Sequence, residues 1–111
     1  MKKFVVLYQA PASAMEQMAG ATPEQAKAGM DAWMQWAGKA GSAIVDLGLP
    51  LGNGMSFTKE GTSASRSQIA GYSILQAASM KELGPLLASH PHLHMPGATI
   101  EVLETLALPG M

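Results

Sequence analysis

The chain has 111 residues, with 7 Lys+Arg against 8 Asp+Glu, 3 His, no Cys, 12 Gly, 7 Pro and 9 Met. That length supports one domain with one core, and 14% charged against 48% hydrophobic residues excludes disorder driven by charge. A net charge of −1 without a basic stripe argues against nucleic acid as a partner, and the lack of cysteine excludes a disulfide framework, a thiolate nucleophile and Cys-ligated metal.

Lys2-Lys3, the apolar run from Phe4 to Tyr8 and Ala12-Ser13-Ala14 imitate the three regions of a secretory signal. The apolar run is shorter than the ~7–15 residues such a signal needs, so it reads as a first strand, and a cytoplasmic protein without a membrane partner is expected. In this strand Phe4, Val6 and Tyr8 share one face and Val5 and Leu7 the other, so both faces are apolar. Residues 10–21 show no clear period and read as a connection. Thr22-Pro23-Glu24-Gln25 then announces a helix: an N-cap hydroxyl, proline at the first position and a Gln placed to complete a capping box. Ala26, Met30, Trp33, Ala37 and Ala40 make its predicted buried stripe, with Gly41 as its stop. Trp36 lies off the centre of that stripe and is a candidate to border a groove or an interface.

Residues 42–47 read as a second strand, ended by the Gly- and Pro-rich segment 48–54. Met55 to Thr58 is an optional short strand before a turn at Lys59-Glu60-Gly61, and 62–67 reads as loop. Residues 68–76 form the next predicted strand, apolar on both faces. Ser79-Met80-Lys81-Glu82 repeats the capping-box pattern and predicts a helix over 80–89, with Leu83, Leu86 and Leu87 facing inward and Gly84-Pro85 able to bend it. After His90-Pro91-His92-Leu93-His94, the alternation around Ile100 and Val102 gives a last strand. The fold class is therefore α+β, a ferredoxin-like βαββαβ sandwich with an antiparallel sheet. Two helices cover one face of such a sheet. The other face, also apolar, calls for a second copy of the same sheet, a homodimer burying on the order of 1,600 Å².

Phe4 to Tyr8, the Trp33/Trp36 helix ending at Gly41, the exit from Val45 to Gly48 into a Leu-Pro-Leu-Gly loop, Gly71 to Leu75, His90-Pro91-His92-Leu93 and Ile100-Glu101-Val102 together resemble the YCII-related (DGPF-domain) proteins over nearly the whole chain. The resemblance implies a ferredoxin-like protomer in a dimeric α+β barrel. The Asp-Gly-Pro-Phe loop that names the family is replaced by Ser63-Ala64-Ser65-Arg66-Ser67. No histidine precedes His90, so the acid–base His–Asp pair associated with some members has no counterpart at the first strand or helix.

The candidate chemistry is sparse. His90, His92 and His94 alternate, and on an extended segment all three would project to one side, as imidazole ligands of a metal can. Pro91, Pro96 and the lack of a nearby carboxylate favour instead a helix-exit turn whose His90 ring serves the last helical carbonyls, and neither a metal nor a cofactor is expected. Asp46, inside an apolar strand, is the first candidate for acid–base work, Glu101 the second, and His92 their candidate partner. Arg66, the single arginine, sits among serines that could present hydroxyls and a guanidinium to an anion such as a carboxylate. Arg66, His90 and Trp36 are thus the candidate ligand-binding residues. No Gly-x-Ser-x-Gly elbow supports a serine nucleophile, and Gly52-Asn53-Gly54 lacks the Lys-Ser/Thr of a phosphate loop. Met15, Met18, Met30, Met34, Met55, Met80 and Met95 fill a core or line an adaptable apolar pocket. The expected function is a homodimeric barrel binding a small molecule in the cleft between sheet and helices. The alternatives are an acid–base isomerase or lyase and a purely structural dimer.

Overall fold

The computed structural model describes residues 1–11, 16 and 19–110; the signal-like 12–14, Met15 and Met18 lie outside them. Strand β1 (Lys2–Gln9) is followed by helix α1 (Pro23–Ala40), β2 (Ile44–Asp46), β3 (Met55–Thr58), β4 (Gly61–Ala64), β5 (Ile69–Ala77), helix α2 (Met80–Ala88) and β6 (Thr99–Glu104). Three-residue and four-residue 3-10 turns at Gly41–Ala43 and Pro91–His94 close the two helices.

β1 takes a central place in a four-stranded sheet of order β2-β5-β1-β6, with every pairing antiparallel. This order, with both helices in the connections, is compatible with a ferredoxin-like sandwich. Residues 50–68 interrupt it with a separate β3–β4 hairpin. Segment 62–67 is therefore not all loop: Thr62 to Ala64 belong to β4. Its polar residues carry no apolar alternation, and the strand forms because β3 supplies the ladder, pairing Ser56 with Ser63 and Phe57 with Thr62.

Register sorts the side chains. Phe4, Val6 and Tyr8 of β1 lie beside Leu75, Ser73 and Gly71 of β5 and Glu104, Val102 and Ile100 of β6 on the helix-covered face. Phe4, Val6, Tyr8, Leu75 and Ala77 form the core with Trp36, Ala40, Leu83 and Leu87 from the helices. On the other face Val5 lies between Ile74 and Leu103, and Leu7 between Tyr72 and Glu101. No other element covers this face among the described residues: Val45 is 45% exposed and Leu103 51%.

The Thr22 capping box forms as its sequence dictates, Gln25 N–H donating to the Thr22 hydroxyl at 3.1 Å and Thr22 N–H to Gln25 Oε1 at 2.9 Å. The second box does not. The Ser79 side chain caps nothing, and the Glu82 carboxylate instead accepts from Ala78 N–H at 3.1 Å. The α1 stripe also differs from expectation: Ala40 is buried, but Ala26 and Met30 are exposed, and α1 packs on the core through Trp33, Trp36, Ala37 and Ala40. Among the described methionines, Met30, Met34, Met55 and Met80 are exposed, so they neither fill the core nor line an enclosed pocket. Gly48 permits the sharp exit from β2. It has φ 83°, and a Cβ there would stand 1.6 Å from the Tyr72 carbonyl oxygen. No described helix is long and apolar enough to cross a membrane.

Candidate functional site

Polar chemistry on the covered face gathers around Tyr8. Alternation along β1 aims its ring inward. Its hydroxyl, deep beneath the helices, needs a partner and donates to Ser73 Oγ at 2.8 Å, while Ser73 Oγ in turn donates to the Leu47 carbonyl. Burial pushes the Tyr8 phenol above its ordinary value, partly offset by the Ser73 bond. Trp33 and Trp36 reach the same place from α1, and His90 and His92 from the turn after α2.

His90 is fully buried. Its ring lies 4.4 Å from the Trp33 ring at 83°, 4.3 Å from Trp36 and 4.8 Å from Tyr8, centroid to centroid. Nδ1 accepts from His92 backbone N–H at 3.0 Å. Nδ1 is therefore unprotonated, and the neutral ring carries its proton on Nε2. That Nε2 has no hydrogen-bond partner among the described residues. Burial drives the His90 pKa down to about 4, with His92 and then His94 adding to the shift. The ring is thus a neutral donor in an aromatic box at ordinary pH, and it serves the His92 amide rather than the last carbonyls of the helix. His92, also buried, packs edge-on against Tyr8 at 5.3 Å and donates from Nε2 to the Gln9 carbonyl at 2.8 Å.

His94 is exposed. Pro91 starts a 3-10 turn rather than an extended segment, so the three imidazoles do not project to one side. Among the described residues no cluster of three His, Asp or Glu could hold a metal ion.

Asp46 and Glu101 occupy the opposite face of the sheet from His90 and His92. Asp46 pairs across an irregularity with Ile74, accepts from Gly48 N–H at 2.9 Å and lies 3.5 Å from the Tyr72 hydroxyl. Glu101 flanks Leu7, which flanks Tyr72. The two carboxylates therefore share the open face but sit on its opposite edge strands and in different cross-strand rows, and neither meets His92. Trp36 is buried rather than bordering a groove, and its Nε1–H donates to the Leu86 carbonyl at 3.0 Å, tying α1 to α2. Arg66 lies far along the chain topology from all of these, on the exposed segment after β4, where an open hollow of ≈ 410 Å³ is lined by Ser56, Ser63, Ala64, Ser65 and Arg66. A second hollow, of ≈ 490 Å³, lies between the start of β1 and the chain after β6 and holds none of the candidate residues.

Reading the sequence missed Tyr8 and Ser73. The available signal was a hydroxyl at the end of the core-facing row of β1 and another inside an apolar strand, each of which required a buried partner. Comparison with models of known protein families finds no match, and comparison with curated proteins finds none either.

Proposed function

We propose that the chain is a YCII-like, cytoplasmic homodimer in which two open sheet faces pack together to close an α+β barrel. Each protomer would hold a small apolar or weakly acidic molecule on the helix side of its sheet. The observation that carries this reading is the uncovered row of Val5, Leu7, Ile74, Val45 and Leu103 on a sheet whose other face is already filled. The shape supports it. The protomer measures 48 × 45 × 20 Å, and 20 Å is the thickness of one sheet layer plus one helix layer, with nothing on the far side. Its radius of gyration of 15.5 Å exceeds the about 13 Å typical of a compact domain of this length. A second copy removes the apolar row from water and restores a layered core.

The ligand part of the reading is supported by His90. A buried N–H without an acceptor costs about 1–3 kcal/mol, which a ligand able to open the aromatic box and accept from it would recover. The acid–base alternative gains no support from one protomer, since imidazoles and carboxylates lie on opposite faces. Leu7→Glu tests the dimer: it puts a charge at the middle of the open face and leaves the core untouched. Sedimentation at micromolar concentration is expected to show a dimer for the parent chain and a folded monomer for the variant. Equal sedimentation of the two would refute the proposed interface.

A further inference from the structure

The β3–β4 hairpin carries a feature independent of whether the sheets pair. Ser56 and Ser63 are direct partners across the ladder, so their hydroxyls leave the hairpin on the same side. Neither hydroxyl makes a hydrogen bond to protein among the described residues. Ser65 comes next on that side. Its N–H donates to the Gly54 carbonyl at 3.0 Å, closing the open end of the hairpin. Gly54 is needed for this approach, because a Cβ there would lie 2.7 Å from the Ser65 Cβ. Ser65 Oγ accepts from Ser67 N–H at 3.1 Å, and Ser67 Oγ accepts from Ile69 N–H at 3.1 Å. Two successive serine turns thus shape the segment that presents Arg66. Both serines accept through Oγ and keep their hydroxyl protons, but only Ser65 lines the hollow.

The result is a concave surface with one guanidinium, three serine hydroxyls able to donate and no carboxylate among its lining residues. Arg66 has no ion-pair partner among the described residues, and the charged residues of the hairpin turn, Lys59 and Glu60, are at its far end. A guanidinium offers a planar fork to two oxygens. A carboxylate meets that fork with both of its oxygens, and only their remaining lone pairs are left for three hydroxyls. A phosphate presents three terminal oxygens and can use the fork and the hydroxyls together. The hollow is open to solvent and leaves room beside the anion for the group that carries it.

We infer that the hollow between Ser56, Ser63, Ser65 and Arg66 is a binding site for a phosphate group, carried by a small phosphomonoester. The site does not depend on the sheet–sheet dimer, and Leu7→Glu should leave it intact.

Backbone amide NMR titration with inorganic phosphate and with glycerol 3-phosphate at low ionic strength tests it, since an exposed site of this kind is screened by salt. Shifts are expected at Ser56 and at Ser63 to Ser67, with the ester binding more tightly than inorganic phosphate. Arg66→Gln should weaken binding about tenfold or more, in line with loss of a charged bidentate contact. Ser63→Ala should weaken it by a smaller factor, with the rest of the spectrum retained in both variants. Unchanged affinity in Arg66→Lys would reduce the site to a bare positive charge and overturn the forked seat. Absence of shifts in the hairpin, shifts spread equally over Lys2, Lys3 and Lys59, or acetate binding as tightly as phosphate would each overturn the proposal.

Discussion

The two faces of the sheet are built from the same strands by the same alternation, yet they end in different states. On the covered face Phe4, Val6, Ser73 and Leu75 are fully buried, and even the polar atoms of Tyr8 and His92 are paired. On the open face their immediate neighbours Val5, Leu7, Tyr72 and Ile74 are half-buried, and Leu103 and Glu101 are exposed. The candidate acid–base groups are sorted as well, with His90 and His92 behind the sheet and Asp46 and Glu101 in front of it. Period-two alternation decides which residues share a face, but only packing from elsewhere decides whether that face is dry. The covered face receives two helices. Among the described residues, nothing packs on the open face.

The largest expected effect separates the faces directly. Phe4→Ala should cost about 3–5 kcal/mol, the price of a large cavity in a filled core. Leu7→Ala on a face that stays wet would cost within about 0.5 kcal/mol. In a dimer its cost should instead approach that of a core substitution and depend on protein concentration. Chemical denaturation of both variants at two concentrations reads out the difference.

The next effect is a pH dependence confined to the covered face. His90 titrates at about 4 when folded and near the ordinary histidine value of 6.5 when unfolded. Between those values the unfolded chain binds more protons, so stability falls as pH falls. The full contribution is present above pH 6.5, is lost progressively toward pH 4, and amounts to about 3 kcal/mol. His90→Leu should flatten that slope whatever it does to stability at neutral pH. Retention of the slope would assign acid sensitivity to another group.

A smaller effect belongs to the hydroxyl pair. Ser73→Ala leaves the buried Tyr8 O–H without its acceptor and the Leu47 carbonyl without its donor, at an expected cost of about 1–3 kcal/mol. Ser73→Ala combined with Tyr8→Phe should lose less than the sum of the two single changes, because the pair fails together.

Local signals were legible in the sequence where local chemistry governs. The Thr22-Pro23-Glu24-Gln25 box starts α1 and Gly41 ends it, and the two-sided apolar pattern of β1 places it inside the sheet. The misreadings arise where a competing neighbour or a distant partner decides the outcome. Gly61 to Ala64 has no strand pattern of its own and is held by β3. Ser79 heads a correct helix, yet its cap is replaced because Glu82 takes the Ala78 amide instead. The alternation of His90, His92 and His94 assumes extended chain, whereas Pro91 starts a tight turn that buries two rings and exposes the third. Nothing near His90 in sequence announces the box formed by Tyr8, Trp33 and Trp36, since those residues arrive from β1 and α1. The sequence places Arg66 among Ser63, Ser65 and Ser67, but Ser56 joins that group only through strand register, and Ser67 falls outside the hollow.

The measurement that bears most directly on the unequal faces is the molar mass of the unmodified protein at micromolar concentration, obtained by light scattering after size exclusion. A species of twice the 11.6 kDa chain mass is the predicted result. A monodisperse single-chain species would mean that Val5, Leu7, Ile74 and Leu103 tolerate water, and would contradict the account.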